Sequence, residues 1–161
     1  MVELFTIGVY GFAPAAFFEK LKAARIDTFC DIRRRRGVRG SEYAFANSLR
    51  LKAELEKVGI RYLHFIDLAP SLELRKRQAS ADKETHVARR KRSELSPEFI
   101  AGYREECLAG FESKGFMEQL GPDARRAVLF CVERLPEACH RSVVAERLSH
   151  DLNIPVTHLV P

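Results

Sequence analysis

Short apolar runs of strand length alternate along this chain with longer stretches whose apolar residues recur at helical spacing. Five runs have strand character, at residues 4–7, 28–32, 60–66, 127–132 and 155–160. The run at 127–132 is continuously apolar, as in a parallel strand that is covered on both faces. Alternating strands and helices favour a mostly parallel sheet with right-handed crossovers. The sequence therefore predicts an α/β fold, a single compact domain with about five strands and with helices on both faces of the sheet.

The length of the chain is that of one domain. Its 161 residues, 46% of them apolar, can bury one sizeable core, and neither a linker nor an internal repeat divides them. We therefore predict one domain over residues 1–161. Residues 72–95 are rich in charge and contain neither glycine nor proline. This composition predicts a charged helical insertion that projects from the core.

Two features bear on cellular location. No run reaches the roughly 18 consecutive apolar residues of a membrane span, so no membrane partner is expected. The first residues, MVELFTIGVYGF, have neither a positively charged leader nor a cleavage site and are typical of a first strand. A cytoplasmic protein is therefore expected.

Positive charge is concentrated in two segments, although the net charge is only +5. One segment covers residues 33–39 and the other covers residues 75–92. Concentrated positive charge attracts the phosphates of nucleotides, nucleic acids or small anions, whereas a solvated helix face and a polar loop would have the same composition without a ligand. We expect a small anionic substrate or a nucleotide as partner. An accessory protein that binds nucleic acid is the alternative, although neither helix-turn-helix nor zinc-finger spacing is apparent.

The tripeptide Cys139-His140-Arg141 stands where the last helix is predicted to begin. Free N–H groups and the macrodipole give a helix start a positive potential, and a thiol in that field beside an arginine has a lowered pKa. Cys139 is therefore predicted to be a nucleophile, with His140 or Glu133 available for proton transfer. In the alternative interpretations, the helix start and Arg141 hold a phosphate while Cys139 lines the pocket, or Cys139 is a plain buried residue.

Further polar residues follow the predicted strands, at the edge where ligands bind in open α/β sheets. Asp31 and Glu133 come at or just after strand ends and would orient the arginines or move protons. The predicted catalytic residues are Cys131, Glu133, Cys139 and His140, and the predicted substrate-binding residues are Gly8, Tyr10, Asp31, Arg33, Arg141 and Ser142.

The four cysteines are not expected to form the disulfide framework of a small secreted protein. Cys131 and Cys139 could form a redox pair, or could join His140 around zinc, which leaves a redox or metal sensor as a third functional class. Seven residues separate the two cysteines, unlike the tight C-x-x-C of thiol oxidoreductases and many zinc sites. No metal site is therefore predicted, and no particular cofactor is indicated. Cys30 and Cys107 lie in apolar patterns typical of buried structural thiols.

The segment CVERLPEACHRSVVAERL is the most specific of four that together resemble the bacterial and archaeal proteins called domain of unknown function 488; the others are TIGVYGF, DIR and GIRYLHFIDLAP. The resemblance covers nearly the whole chain. It implies a compact α/β domain, and the paired cysteines of the family imply an enzyme whose reaction has no general assignment. Many members have T-I-G-H-S near their start, where this chain has Val9 and Tyr10, so this protein either lacks that histidine's group or uses Tyr10 in its place.

Overall fold

The structure, a computed structural model, describes all 161 residues of the chain. Five strands alternate with helices, as the sequence predicts. The strands are β1 (Glu3–Ile7), β2 (Thr28–Asp31), β3 (Arg61–His64), β4 (Arg126–Phe130) and β5 (Val156–Leu159). The α-helices are α1 (Pro14–Ala23), α2 (Ser48–Lys57), α3 (Leu72–Glu84), α4 (Pro97–Tyr103), α5 (Ser113–Leu120) and α6 (His140–Leu152).

The strands form one sheet in the order β3-β2-β4-β1-β5, and every neighbouring pair is parallel. The α/β prediction with a five-stranded sheet is therefore confirmed. Strands β1 and β4 are neighbours, and the chain leaves them in opposite directions, from β1 toward β2 and from β4 toward β5. Because all carboxyl ends lie at the same edge, the segments after β1 and β4 meet there, at the kind of position where α/β sheets bind ligands.

Helices cover both faces of the sheet. On one face, the ring of Phe17 in α1 packs edge-on against Phe29 of β2 and Phe130 of β4. Successive residues of a strand point to opposite faces, and Cys131 accordingly lies near His140 at the start of α6, on the other face. Helix α6 packs there against β1, β4 and β5, and α4 and α5 pack on α6.

Two stretches whose apolar residues recur at helical spacing, residues 41–58 and 97–120, are divided in the structure. The chain from residue 41 to 58 forms a 3-10 helix, Ser41–Ala46, before α2 begins. Asn47 separates the two because its side chain accepts a hydrogen bond from the Val38 N–H at 2.8 Å while its own backbone is extended. The stretch from Pro97 forms α4, a π-helical turn and α5, and Arg147 donates hydrogen bonds to the Leu108 and Phe111 carbonyls between α4 and α5.

The charged insertion does not project from the core, contrary to the prediction. Helix α3 begins at a cap in which the Ser71 hydroxyl accepts from the Leu74 N–H, and it packs on α4, where Gly102 leaves room for the Leu74 side chain. Gln78 and Asp82, also in α3, are buried, and their side chains are hydrogen-bonded to each other at 2.8 Å. Buried polar contacts, together with the packing of Leu74, thus attach the insertion to the domain.

None of the helices combines the length and the apolar character needed to cross a lipid bilayer.

Candidate functional site

A cavity of about 280 Å³ lies between the carboxyl edge of the sheet and the charged insertion. Five of the predicted site residues line it, namely Arg33, Cys131, Glu133, Cys139 and His140. The insertion supplies much of the opposite wall. Its polar lining residues are Arg75, Lys76, Gln78, Asp82, Arg89 and Arg92, and Arg34 and Arg35 complete the basic lining from the segment after β2.

Cys131, Cys139 and His140 form a compact cluster in the wall of this cavity. The His140 Nδ1 lies 3.7 Å from the Cys131 Sγ and 3.8 Å from the Cys139 Sγ, and the three atoms lie within 4.8 Å of one another. Cys131 immediately follows β4, whereas Cys139 is the extended residue that precedes α6 and His140 is the first residue of that helix. The short loop between strand and helix therefore folds back and brings the two thiols to one imidazole.

The orientation of His140 is fixed from its far side. Its Nε2 lies 3.1 Å from the Ile32 carbonyl oxygen, so Nε2 carries a proton and donates to that oxygen. The Nδ1 atom is then directed at the two thiols. The ring of Tyr103 in α4 lies 5.3 Å away, and the Tyr103 hydroxyl is itself held by the Leu68 carbonyl at 2.6 Å.

The two cysteines have opposite acidities. Burial raises the pKa of the Cys139 thiol, but the hydrogen bond from Cys131 and the charges of His140 and Arg141 outweigh burial and bring that pKa well below its ordinary value. For Cys131, burial and the neighbouring Cys139 raise the pKa well above its ordinary value. Burial lowers the pKa of His140, yet the Cys139 charge overcomes it, so the net shift is upward. These surroundings favour Cys139 over Cys131 as the more acidic thiol of the cluster.

Glu133 is buried at the boundary between the cluster and the insertion. Its Oε1 accepts hydrogen bonds from Arg89 and Arg92, each at 3.0 Å. Its Oε2 lies 3.8 Å from the Cys131 Sγ. Arg92 also contacts the Asp82 carboxylate at 2.8 Å and the Ala138 carbonyl at 3.0 Å. One carboxylate oxygen therefore anchors the insertion while the other faces the thiols.

Arg141 supports the loop that carries Glu133 rather than lining the cavity. The side chain is fully buried, and it donates to the carbonyl oxygens of Glu133 at 2.6 Å and Arg134 at 3.2 Å. Gly8 permits this arrangement because a Cβ atom at that position would lie 1.9 Å from the Glu133 carbonyl oxygen. The Ser142 hydroxyl donates to the Cys139 carbonyl at 2.9 Å, in the first turn of α6. Gly8, Arg141 and Ser142 thus support the segment between β4 and α6 without lining the cavity.

Asp31 and Arg33 form a buried pair of their own. Arg33 donates to both carboxylate oxygens of Asp31, at 2.9 and 2.8 Å, and to the Ala46 carbonyl at 2.9 Å. Its guanidinium stacks 4.5 Å from the centre of the Phe130 ring. Tyr10 lies apart from the cluster, with its ring against Tyr43 and beneath the guanidinium of Arg90.

Comparison with known proteins adds one finding to this geometry. The family model described as "Domain of unknown function DUF488" matches residues 13–148. The chain belongs to this family. Neither a curated protein nor a solved structure matches it. The matched residues include the entire loop from Cys131 to Arg141, so the cluster lies within the part of the chain that the DUF488 model describes.

The structure of this DUF488 protein adds basic residues that were not among the predicted site residues. Arg75, Lys76, Arg89 and Arg92 reach the cavity from the insertion, and Arg34 reaches it from the segment after β2. The only signal in the sequence was the density of positive charge in these two segments. Charge density does not tell which face of a helix is turned toward the site, because an exposed helix and a cavity wall have the same composition.

Proposed function

We propose that this DUF488 protein is an enzyme that acts on a small phosphate-bearing or otherwise anionic substrate bound in the cavity, with the Cys131–Cys139–His140 cluster at the reacting end. One observation carries the proposal: a cysteine and histidine cluster and a set of cations without protein partners line the same cavity. Reactive groups supply the chemistry, and cations supply the binding of a negatively charged substrate.

The cations of the cavity exceed its anions. Glu133 and Asp82 are already paired with Arg89 and Arg92. The side chains of Arg35, Arg75 and Lys76, by contrast, donate no hydrogen bond to any protein acceptor in this chain.

Positive charges lie close together around Arg75, and a bound anion would reduce their repulsion. Burial lowers the pKa of the half-buried Arg75, and the charges of Arg89 and Arg35 lower it further. Of the remaining cations, Arg34 donates from Nε and one terminal nitrogen to backbone carbonyls, which leaves its other terminal nitrogen free. A phosphate group has several acceptor oxygens and would satisfy such donors together.

The size of the cavity favours a small substrate. Its volume of about 280 Å³ is near the lower end of the range of small-molecule sites. A simple phosphate ester or a mononucleotide fits that volume better than a polymer does. The anion would lie against Arg34, Arg35 and Arg75, and the bond to be broken would lie toward Cys139. We also propose a cytoplasmic location, where reducing conditions keep thiols such as Cys131 and Cys139 free.

Calorimetric titration with inorganic pyrophosphate and with AMP tests the proposal. We expect binding that weakens as salt is added, because the contacts are ionic. Replacing Arg75 by alanine should weaken binding about tenfold or more, the loss expected for one charge-assisted hydrogen bond. Arg77→Ala is the matched control, since Arg77 lies on the same helix, is exposed and pairs with Glu73 instead.

Either of two binding results would contradict the proposal. If neither anion binds at low salt, or if Arg75→Ala and Arg77→Ala weaken binding equally, the cavity is not an anion site. A screen of phosphate esters with the wild-type protein and the Cys139→Ser variant then tests turnover. Full turnover by the Cys139→Ser protein would separate the cluster from the reaction.

A further inference from the structure

We propose that Cys131, Cys139 and His140 are the three protein ligands of a zinc ion whose fourth position opens toward the cavity. Two sulfur atoms and one imidazole nitrogen are a ligand set that zinc prefers, whereas magnesium and calcium prefer oxygen. Three protein ligands with an open fourth position are the arrangement of catalytic rather than structural zinc. The site stands on its own geometry, while its use in a reaction rests on the function proposed above.

The distances from the His140 nitrogen to the two sulfur atoms are close to those around a tetrahedral ion. With zinc bonds of about 2.3 Å to sulfur and about 2.0–2.1 Å to nitrogen, neighbouring sulfur and nitrogen ligands lie roughly 3.5–3.6 Å apart. The distances from His140 Nδ1 to the Sγ atoms of Cys131 and Cys139 are 3.7 and 3.8 Å. To hold an ion between them, these distances would shorten by a few tenths of an ångström, and the two sulfur atoms, which lie within 4.8 Å of each other, would close to roughly 3.8 Å.

The surroundings of His140 are those of a metal ligand. A ligating histidine almost always donates its second ring N–H to a carboxylate, a carbonyl or water, which fixes the tautomer and the ring orientation. Here Nε2 makes that contact with the Ile32 carbonyl at 3.1 Å, which leaves Nδ1 as the ring nitrogen directed at the sulfur atoms. All three ligand residues are buried, so they are held in place before an ion arrives.

Glu133 occupies the position that a proton acceptor needs beside such an ion. Its Oε1 is held by Arg89 and Arg92, and its Oε2 is turned toward the cluster, 3.8 Å from the Cys131 Sγ. The glutamate follows the first ligand by two residues, as the proton-moving glutamate does in zinc-dependent deaminases. The carboxylate is therefore placed to act on a water molecule in the fourth position without being a ligand itself.

With a phosphate ester as the substrate of the function proposed above, such a site would carry out its hydrolysis. Zinc lowers the pKa of a bound water molecule, whose proton passes to Glu133 as its O–H bond breaks. The resulting hydroxide forms a bond to phosphorus, and the bond from phosphorus to the leaving oxygen breaks. Glu133 then returns the proton to that oxygen, so that water and ester become alcohol and phosphate. The cations around Arg75 hold the phosphate throughout.

Metal analysis of the purified protein tests the site directly. We expect protein from zinc-supplemented cells, purified without chelators, to contain about one zinc ion per chain by elemental mass spectrometry. The cobalt-substituted protein should show the intense absorption of thiolate-to-cobalt charge transfer. Cys131→Ser should lose both signals, whereas the control Cys107→Ser should keep them, because Cys107 lies outside the cluster and contacts the Ala69 carbonyl.

Three results would overturn the site. They are the absence of zinc from wild-type protein in zinc-supplemented medium, full zinc content in Cys131→Ser, and an intact mass showing a disulfide between Cys131 and Cys139 in place of metal. The wild-type cobalt spectrum keeps the test valid if Cys131→Ser does not fold. Zinc without anion binding would refute the proposed function alone, and anion binding lost in Arg75→Ala without any zinc would refute the metal site alone.

Discussion

At the scale of single residues, Asp31 shows how hydrogen bonds within the fold can occupy a polar group at the edge of the sheet. Its two oxygens accept from Arg33, and Oδ2 also accepts from the Tyr62 hydroxyl at 2.5 Å. The carboxylate is fully buried, so each of these contacts replaces water that it has lost. Asp31 thereby joins the segment after β2 to the edge strand β3.

Because of the Tyr62 hydroxyl, we expect the free energy of unfolding to decrease at alkaline pH. Burial and the Asp31 charge raise the pKa of Tyr62 to about 12 from an ordinary value of 10.0. Because the folded-state pKa is the higher one, this contribution is complete below about pH 10 and is lost as the pH rises toward 12. We expect urea titrations to show a smaller pH-dependent loss of unfolding free energy in Tyr62→Phe than in the wild type.

Two comparisons make this prediction specific. At neutral pH, Tyr62→Phe should lower the free energy of unfolding by about 1–2 kcal/mol, since one hydrogen bond to a carboxylate is lost. Tyr43→Phe is the control, because the Tyr43 hydroxyl has no hydrogen-bond partner within the chain. Identical alkaline profiles for the wild type and Tyr62→Phe would show that the contact with Asp31 does not act in this way.

The sequence predicts the residues of the cluster but not the direction of each side chain. Cys131, Cys139 and His140 follow from the end of a strand and the start of a helix, which the apolar pattern and the loop between them define. Arg141 has the same local signal, yet its guanidinium turns back to the carbonyls of Glu133 and Arg134. A guanidinium binds backbone carbonyls as readily as it binds a phosphate. The path of the loop decides between these two partners, and that path cannot be read from the sequence.

At the scale of elements, the charged insertion is the wall of the site. Its density of charge predicts a helical insertion that projects from the core. The structure attaches it instead through Gln78, Asp82 and Arg92, whose polar atoms satisfy one another and the loop after β4. Such a network is specified by the whole set of partners, so no local pattern in residues 72–95 reveals it.

Arg92 is the central contact of this attachment, because its guanidinium donates to Asp82, Glu133 and the Ala138 carbonyl. We expect Arg92→Ala to loosen the insertion. Hydrogen–deuterium exchange should become faster across residues 72–95 and stay unchanged in β1 and β4, since local opening exposes only the segment that has lost its contacts.

Lys91→Ala is the matched control for the insertion, because Lys91 is the neighbouring residue and is exposed. It should leave the exchange rates as they are in the wild type. Equal exchange in the wild type and Arg92→Ala would mean that packing of Leu74 and Leu95, rather than the guanidinium, holds the insertion in place.

At the scale of the whole molecule, a continuous core joins both faces of the sheet. It contains 39 buried residues and extends from α1 through the strands to α4, α5 and α6. The overall architecture was the most predictable part of this protein, because strand runs and helical periods are repeated over many residues. The strand order was not predictable, since β1 could have paired with β2 directly and the apolar patterns would be the same.

The unity of the core predicts a single unfolding event. Because no boundary divides the buried residues, urea should unfold the protein in one transition, with the same midpoint by far-ultraviolet circular dichroism and by tyrosine fluorescence. Separate midpoints would show that the insertion or another segment unfolds independently of the sheet.

The position of β1 has a consequence for how the protein is made. Its neighbours are β4 and β5, which begin at residues 126 and 156, so β1 has no partner strand until residues from 126 onward have been synthesised. Contacts between such distant residues slow folding. The apolar residues of β1 must therefore wait unpaired while residues 8–125 are translated, and the cavity at the carboxyl edge of the sheet is completed only after Cys131, Cys139 and His140 have been added.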